Sequence, residues 1–234
     1  MISKNNIALA LDNNDDLGAL CELITQTSQS IGIYKVGFEQ FIRFGDKLFE
    51  PIRKNGAKIF LDMKLHDIPN TVAHAVSSAI YHGVDFLTIH TIGAKAMMEA
   101  ATTAAKQAQT APKIIGVTVL TSIDKAAMNN EMRISGDVEN QVAHLTKLAV
   151  ECGLDGIVCS AADLPSVKQF TPLGFEIITP GIRPAGTDAQ DQKRVATPQS
   201  AIENGATVLV IGRAITGAKN PATAAKEILT SIGG

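Results

Sequence analysis

Four ionisable side chains occur at the ends of short apolar segments in the first third of the chain. The segment IALAL is followed by Asp12, IYKVG contains Lys35, and KIFLDMKL contains Asp62 and Lys64. Asp62 and Lys64 are two positions apart, so in a strand their side chains point to the same face. Charges in such segments are costly to bury unless opposite charges pair. Two carboxylates and two ammonium groups therefore indicate a site that stabilises developing charge or moves a proton.

Residues near the other end of the chain are suited to binding phosphate. One apolar segment ends in TPGIRP, which contains Arg183 and leads into a polar loop reaching Gln192, and another ends in Gly212 and Arg213. A guanidinium group makes two-pronged charge-assisted hydrogen bonds, and glycine lets backbone N–H groups approach an anion closely. Either arginine alone is equally consistent with a surface salt bridge. Together they predict a phosphorylated ligand.

Asp67 stands three residues after Lys64 and directly before Ile68 and Pro69. Proline suits the first turn of a helix because its missing N–H is not needed there. Asp67 or Ile68 is therefore expected at the start of a helix. On these residues alone, capping that helix is favoured over catalysis as the role of Asp67.

The elements that must position these residues are short strands alternating with helices. Apolar segments rich in β-branched residues predict buried strands at 7–11, 33–37, 58–63, 85–90, 114–120, 156–159, 176–179 and 208–211. Ala-rich segments with helical spacing lie between most of them, at 71–81, 94–108 and 138–151. A chain that alternates strand and helix builds a parallel sheet.

A repeated glycine motif precedes four of the predicted strands. It reads NGAKIF, HGVDFL, CGLDGIV and NGATVLV, with its glycine at positions 56, 83, 153 and 205. Glycine takes the left-handed conformation that commonly ends a helix without a Cβ penalty. The repetition predicts the same helix stop, short turn and buried strand four times, which favours a repeating βα architecture.

Eight strands in 234 residues favour a closed barrel, which usually needs about 250 residues. The main alternative is an open doubly wound sheet, which normally carries a glycine-rich loop after its first strand. Here the acidic segment 12–16 follows instead. We therefore predict an α/β fold, a single (β/α)8 TIM barrel over residues 1–234 with eight parallel strands and the active site at the C-terminal mouth. The long segment 121–155 predicts an additional loop or short helix at that mouth.

Composition excludes several classes of protein. With 21 basic and 23 acidic residues, the chain has no electrostatic footprint for nucleic acid or an anionic membrane. Its three cysteines are an odd number without a CxxC pair, which argues against a disulfide framework or structural zinc site. The N-terminal segment turns acidic before a signal-peptide core is complete, and no stretch is apolar enough to span a bilayer. A cytoplasmic protein is expected.

The segment FLDMKLHDIPNTV, at 60–72, resembles the D-x-K-x-x-D-I-x-x-T signature of the orotidine 5′-phosphate decarboxylase family. LALD, YKVG, VLTS, TPGIRP and IGRAIT also resemble that family, in order along nearly the whole chain. The likeness is to its short bacterial form. It implies decarboxylation of orotidine 5′-phosphate to uridine 5′-phosphate, the last step of de novo pyrimidine biosynthesis, with no cofactor and no metal.

The resemblance also implies a role for each matching residue. Lys64 would be the proton donor, in an alternating array completed by Lys35, Asp62 and Asp67. Asp12 would hold the ribose hydroxyls together with Lys35. The other implied substrate contacts are Thr121, Ser122 and Pro180 for the pyrimidine, and Arg183, Gln192, Gly212 and Arg213 for the phosphate.

The family resemblance implies a homodimer with shared active sites. The residues matching Asp67, Ile68 and Thr71 would reach into the site of the neighbouring subunit. The expected partners are therefore a small-molecule substrate and a second copy of the chain, with no nucleic acid and no membrane.

Two other functions remain as alternatives. The Mg²⁺-dependent 3-keto-L-gulonate 6-phosphate decarboxylase and hexulose 6-phosphate synthase share the D-x-K-x-x-D core. In those enzymes a Glu-bearing segment stands where this chain has Lys35. A lysine at that place opposes metal binding. The other alternative is a non-catalytic nucleotide-binding barrel. Loss of the central lysine would indicate this function. Lys64 is present.

Overall fold

The eight strands form one closed parallel barrel in chain order, with the last strand paired to the first. The computed structural model describes residues 2–12, 14–184 and 196–234. The strands are β1 (Ile7–Ala10), β2 (Ile33–Gly37), β3 (Lys58–Leu65), β4 (Phe86–His90), β5 (Lys113–Val117), β6 (Gly156–Val158), β7 (Glu176–Thr179) and β8 (Val208–Ile211). The predicted (β/α)8 TIM barrel is confirmed.

Helices follow the strands around the outside of the barrel. They are α1 (Leu17–Thr27), α2 (Phe38–Phe44), α3 (Phe49–Lys54), α4 (Pro69–Tyr81), α5 (Ala94–Lys106), α6 (Lys125–Asn130), α7 (Val138–Glu151), α8 (Leu164–Lys168), α9 (Pro198–Glu203), α10 (Arg213–Thr216) and α11 (Pro221–Ser231). The additional short helix predicted in 121–155 is α6. Among the described helices, none has the length and apolar character that crossing a bilayer requires.

The apolar residues divide into an inner and an outer layer because side chains alternate along each strand. The barrel interior is filled by Ala8, Ile33, Phe60, Phe86, Ile115, Ile178 and Val208. The larger layer lies between strands and helices and includes Leu9, Tyr34 and Ile177. Strands buried on both faces explain why the apolar segments were continuous.

The repeated glycine motif lies at the N-terminal face of the barrel, directly before the strands. The φ angles of Gly56, Gly83, Gly153 and Gly205 are +68°, +61°, +72° and +108°, which confirms the predicted helix stops. Two residues after Gly83, the Asp85 carboxylate accepts the N–H of Ile59 at 2.8 Å, and Asp155 accepts the N–H of Ile114 in the same way. The motif therefore ends a helix, and its copies with Asp85 and Asp155 also link neighbouring strands.

Candidate active site

The four charged residues singled out in the sequence meet at the C-terminal mouth of the barrel. Lys35 Nζ lies 3.1 Å from both carboxylate oxygens of Asp12 and 3.5 Å from Asp62 Oδ2. Lys64 Nζ lies 2.7 Å from the same Asp62 oxygen. The charges alternate along the chain Asp12–Lys35–Asp62–Lys64, and Lys35 and Asp62 are buried. Each inner charge is thus paired on both sides, which offsets the cost of removing it from water.

Gly37 makes room for the first of these pairs. A Cβ atom at this position would lie 3.1 Å from Asp12 Oδ1 and 3.3 Å from Lys35 Nζ. Both distances are shorter than ordinary van der Waals contact. A larger residue in place of the glycine of YKVG would therefore require the Asp12 carboxylate or the Lys35 ammonium group to shift by a few tenths of an ångström.

Strand β3 is irregular where it carries the other pair. Leu61 lies opposite Leu87 of β4, but the next partner of Ile89 is Leu65, so four steps along β3 match two along β4. Such a bulge re-aims side chains and is common beside active sites. Within it, Lys64 has a φ of +48°, a left-handed conformation that costs a non-glycine residue about 1–2 kcal/mol. At this bulge the Lys64 ammonium group lies 2.7 Å from Asp62 Oδ2.

Thr88 of β4 faces this bulge and is fully buried. Its hydroxyl oxygen accepts the backbone N–H of Lys64 at 2.8 Å, and the hydroxyl donates to Asp62 Oδ1 at 3.0 Å. Thr88 was not among the site residues predicted from the sequence. The available signal was a polar residue inside the apolar segment FLTIH, on the strand next to KIFLDMKL.

The electrostatic environment keeps Asp62 ionised. Burial alone would raise the pKa of Asp62, but the positive charges of Lys35 and Lys64 and the hydrogen bonds from Lys64 and Thr88 lower it below its ordinary value of 3.8. At neutral pH the site therefore holds an ionised carboxylate between two ammonium groups.

Two adjoining cavities open at this mouth. The first, of about 180 Å³, has Lys35, Asp62, Lys64 and Thr121 on its polar side. Its apolar wall is formed by Phe60, Val117, Val119, Leu120, Val158, Cys159, Pro180 and Val210. A flat, partly apolar ring fits such a wall, with the charged residues at one edge. Apart from Pro180, the residues of this wall were not predicted from the sequence, because apolar residues at these positions are typical of any buried strand.

The second cavity, of about 360 Å³, contains the residues expected to bind phosphate and ribose. Its lining includes Asp12, Lys35, Arg183, Gly212 and Arg213. Arg183 is buried, and its Nη1 donates to the carbonyl oxygen of Ile182 at 3.1 Å. Lys35, Pro180 and Val210 line both cavities, so one ligand can occupy both. Gln192 lies outside the described residues.

Four of the predicted site residues do not line either cavity. Asp67, Ile68, Thr71 and Ser122 are exposed and are absent from the described lining of both cavities. Capping of α4 by Asp67 is not observed, because Ile68 is the N-cap residue and makes no side-chain capping bond. Asp67 Oδ1 instead accepts the N–H of Ile68 at 2.7 Å. The Asp67 carboxylate is therefore bonded to the adjacent backbone amide and not to an amide in the first turn of α4.

Three aromatic or imidazole rings lie near Lys64. The Phe38 ring is 53% exposed, and its centroid lies 5.6 Å from Lys64 Nζ, within range of a cation–π interaction. The rings of His66 and His90 are 5.7 Å apart. Burial, with the nearby His66 and Lys64, lowers the pKa of His90, which favours the neutral ring. In the described part of the chain, no three His, Cys, Asp or Glu side chains are grouped to hold a metal ion.

Comparison with known proteins relates the chain to one family. The sequence model of the orotidine 5′-phosphate decarboxylase / HUMPS family matches residues 5–228. The chain is 44% identical to orotidine 5′-phosphate decarboxylase of Moorella thermoacetica, covering 99% of this chain and 94% of that protein. Its identity to the Nitrosococcus oceani enzyme of that name is 43%, with 99% of both chains covered. The crystal structure of orotidine 5′-phosphate decarboxylase from Lactobacillus acidophilus matches with a TM-score of 0.84 at 31% identity, over 97% of this chain and 99% of that one.

Proposed function

The chain belongs to the orotidine 5′-phosphate decarboxylase / HUMPS family, and we propose that it converts orotidine 5′-phosphate to uridine 5′-phosphate. This reaction is the last step of de novo pyrimidine biosynthesis. The observation that carries the proposal is the alternating arrangement Asp12–Lys35–Asp62–Lys64 at the barrel mouth. The arrangement supplies what this decarboxylation needs, which is fixed positive charge and a proton.

Loss of CO2 from the pyrimidine leaves an electron pair on C6. No adjacent carbonyl or imine delocalises that pair, and most decarboxylases borrow an electron sink from a cofactor. Preorganised electrostatics can stabilise the carbanion instead. The Lys64 ammonium group, paired with Asp62 at 2.7 Å, provides a positive charge beside C6. It then donates a proton to C6, completing the C–H bond that replaces the C–C bond.

The two cavities suggest how the substrate lies. We place the pyrimidine in the first cavity, against the apolar wall and beside Lys64. The ribose lies at Asp12 and Lys35, and the phosphate lies at Arg183, Gly212 and Arg213 in the second cavity. In this orientation the substrate carboxylate lies near Asp62. Phosphate binding far from C6 supplies binding energy that holds the ring against the charged residues.

We further propose a homodimer in which Asp67, Ile68 and Thr71 complete the site of the neighbouring subunit. Two observations support a role between subunits. Asp67 is exposed and is not among the ion-pair partners described for Lys64 of its own chain. Ile68 is 66% exposed, an apolar side chain at the mouth that a second subunit would cover. The remaining expectations, one domain over residues 1–234, no cofactor and a cytoplasmic location, stay predictions.

The experiment that tests the function is turnover of orotidine 5′-phosphate by purified protein treated with EDTA, followed as a fall in ultraviolet absorbance. We expect unchanged turnover in EDTA, because Lys35 and Lys64 provide the positive charge. Activity that depends on added Mg²⁺ would favour the 3-keto-L-gulonate 6-phosphate decarboxylase and hexulose 6-phosphate synthase alternative. Nucleotide binding without turnover would favour the non-catalytic barrel.

A further inference from the structure

Thr88 occupies the place where the ladder between β3 and β4 is interrupted. Regular pairing holds at Leu61 and Leu87, fails over the next residues of β3, and resumes at Leu65 and Ile89. The backbone N–H of Lys64 is therefore removed from the ladder. Its partner is the Thr88 hydroxyl oxygen, 2.8 Å away. A side chain of β4 has thus replaced a backbone acceptor.

The chemistry of the two partners fixes the direction of the Thr88 hydroxyl. A hydroxyl has one proton to donate and two lone pairs to accept with. The Lys64 amide can only donate, and the ionised Asp62 carboxylate can only accept. The hydroxyl proton must therefore point at Asp62 Oδ1, 3.0 Å away, while a lone pair receives the Lys64 N–H. One buried group holds both members of the Asp62–Lys64 pair.

This contact is made to the strained part of the chain. Lys64 has a φ of +48°, and a residue in such a conformation persists only when its surroundings hold it there. The Lys64 side chain, by contrast, is 28% exposed at the mouth. Thr88 therefore holds the backbone of Lys64, while Asp62 pairs with its ammonium group.

We propose that Thr88 is a positioning residue for the decarboxylation, whose hydroxyl fixes the backbone of Lys64 and the carboxylate of Asp62 so that the ammonium group points into the first cavity. The proposal rests on the role of Lys64 in the proposed function. Thr88 is not itself among the residues that line either cavity. It acts only through the two residues to which it is hydrogen-bonded.

The test compares Thr88→Val, which keeps the shape and removes the hydroxyl, with Thr88→Ser, which keeps the hydroxyl. Loss of a hydrogen bond to a charged group predicts a fall in kcat of about 10- to 100-fold for Thr88→Val. KM should change by less than about threefold, because the phosphate and ribose residues line the second cavity. Thr88→Ser should stay within about threefold of the unmodified protein.

Thr146→Val is the matched control. Thr146 is also fully buried, and its hydroxyl donates to the carbonyl oxygen of Val142 within α7. This variant loses a buried threonine hydroxyl without contacting Asp62 or Lys64, so its kcat should be unchanged. Near-normal kcat in Thr88→Val, or an equal loss in Thr88→Ser, overturns the proposal. If Thr88→Val does not fold, Thr88→Ala replaces it with the same expected fall and the same contradicting result.

Amide hydrogen exchange, measured by NMR, separates this inference from the proposed function. Exchange of the Lys64 amide should be at least about tenfold faster in Thr88→Val than in the unmodified protein and in Thr88→Ser. Equal exchange in all three proteins contradicts the Thr88 contact. Failure of the unmodified protein to decarboxylate contradicts the function, whatever the exchange rates are.

Discussion

Lys64 and Asp62 are two residues apart on one strand, and their charged groups are 2.7 Å apart within the part of the strand that bulges between Leu61 and Leu65. In an even strand, side chains two positions apart emerge about 6–7 Å from each other. The long Lys64 side chain spans that separation, and both residues line the first cavity. An irregular stretch of backbone and an ion pair of unusual burial therefore coincide at these two residues.

Replacing Lys64 by Ala should abolish nearly all turnover. The variant loses both the positive charge beside C6 and the proton donor, and we expect kcat to fall by about 10⁴-fold or more. The measurement is the decrease in ultraviolet absorbance of orotidine 5′-phosphate. Lys58→Ala is the control, since Lys58 is exposed at the opposite end of β3 and should keep full activity. Substantial turnover by Lys64→Ala would contradict its role as proton donor.

The stabilising effect of Asp62 should depend on pH. The folded-state pKa of Asp62 lies below its ordinary value of 3.8, so the ionised carboxylate stabilises the fold above about pH 4. This contribution is lost as the pH falls through the folded-state pKa. Replacement by Asn leaves Lys35 and Lys64 without their shared partner and should cost about 3 kcal/mol at neutral pH.

Thermal unfolding from pH 7 down to pH 3 measures this effect. The Tm difference between the unmodified protein and Asp62→Asn should be largest at neutral pH and should shrink below pH 4. Asp15→Asn is the control, because Asp15 forms an exposed pair with Arg43 that contributes little. A difference that stays constant across the pH range would show that ionisation of Asp62 does not stabilise the fold.

Arg183→Ala should impair the phosphorylated substrate selectively. Arg183 is buried beside the second cavity, and loss of its charge-assisted bonds should lower kcat/KM for orotidine 5′-phosphate by about 100-fold. For the nucleoside orotidine, which has no phosphate, kcat/KM should be almost the same in the variant as in the unmodified protein. Equal losses for both substrates would contradict a phosphate-binding role. Arg53→Ala is the matched control, since Arg53 is an exposed residue of α3 whose guanidinium donates to the carbonyl oxygens of His82 and Gly83, at the opposite end of the barrel.

Adding one methyl group at Gly37 should disturb the Asp12–Lys35 pair. The φ of Gly37 is −79°, so alanine is tolerated by the backbone, and the effect is steric. The new Cβ would lie 3.1 Å from Asp12 Oδ1 and 3.3 Å from Lys35 Nζ. Overpacking of this size predicts a rise in KM of about tenfold, with little change in Tm. An unchanged KM would show that the pair can shift without loss of ribose binding.

The sequence predicted the barrel well because each strand is buried on both faces. A segment such as VLVI at 208–211 has no polar residue that could face water, and the glycine before it marks the end of a helix. Strand ends were less predictable. The segment 114–120 was expected to be one strand, but β5 ends at Val117. The N–H of Thr118 still bonds to the carbonyl of Val158, and a turn follows at 121–122.

Residues of the candidate site were predictable where a charged side chain occurs in a buried strand. They were not predictable where their role depends on contacts between strands. Lys35 and Asp62 were found because charges are rare in buried strands. The bulge was missed because LDMKL reads as a continuation of β3, and only the partner strand reveals the two additional residues. Thr88 was missed because threonine is common in strands. Its importance lies in two hydrogen bonds to β3, which local sequence does not encode.

Mixing two inactive variants should restore activity if the active sites are shared between subunits. In a hybrid dimer of Lys64→Ala and Asp67→Ala, one site receives both substitutions and the other receives neither. Random exchange of equal amounts makes half of the dimers hybrid, so about one quarter of the sites should be intact. We therefore expect about 25% of unmodified activity, measured after native mass spectrometry shows that the subunits have exchanged. If Asp67 acts on Lys64 of its own chain, no hybrid site is intact, and activity should stay at the level of the separate variants.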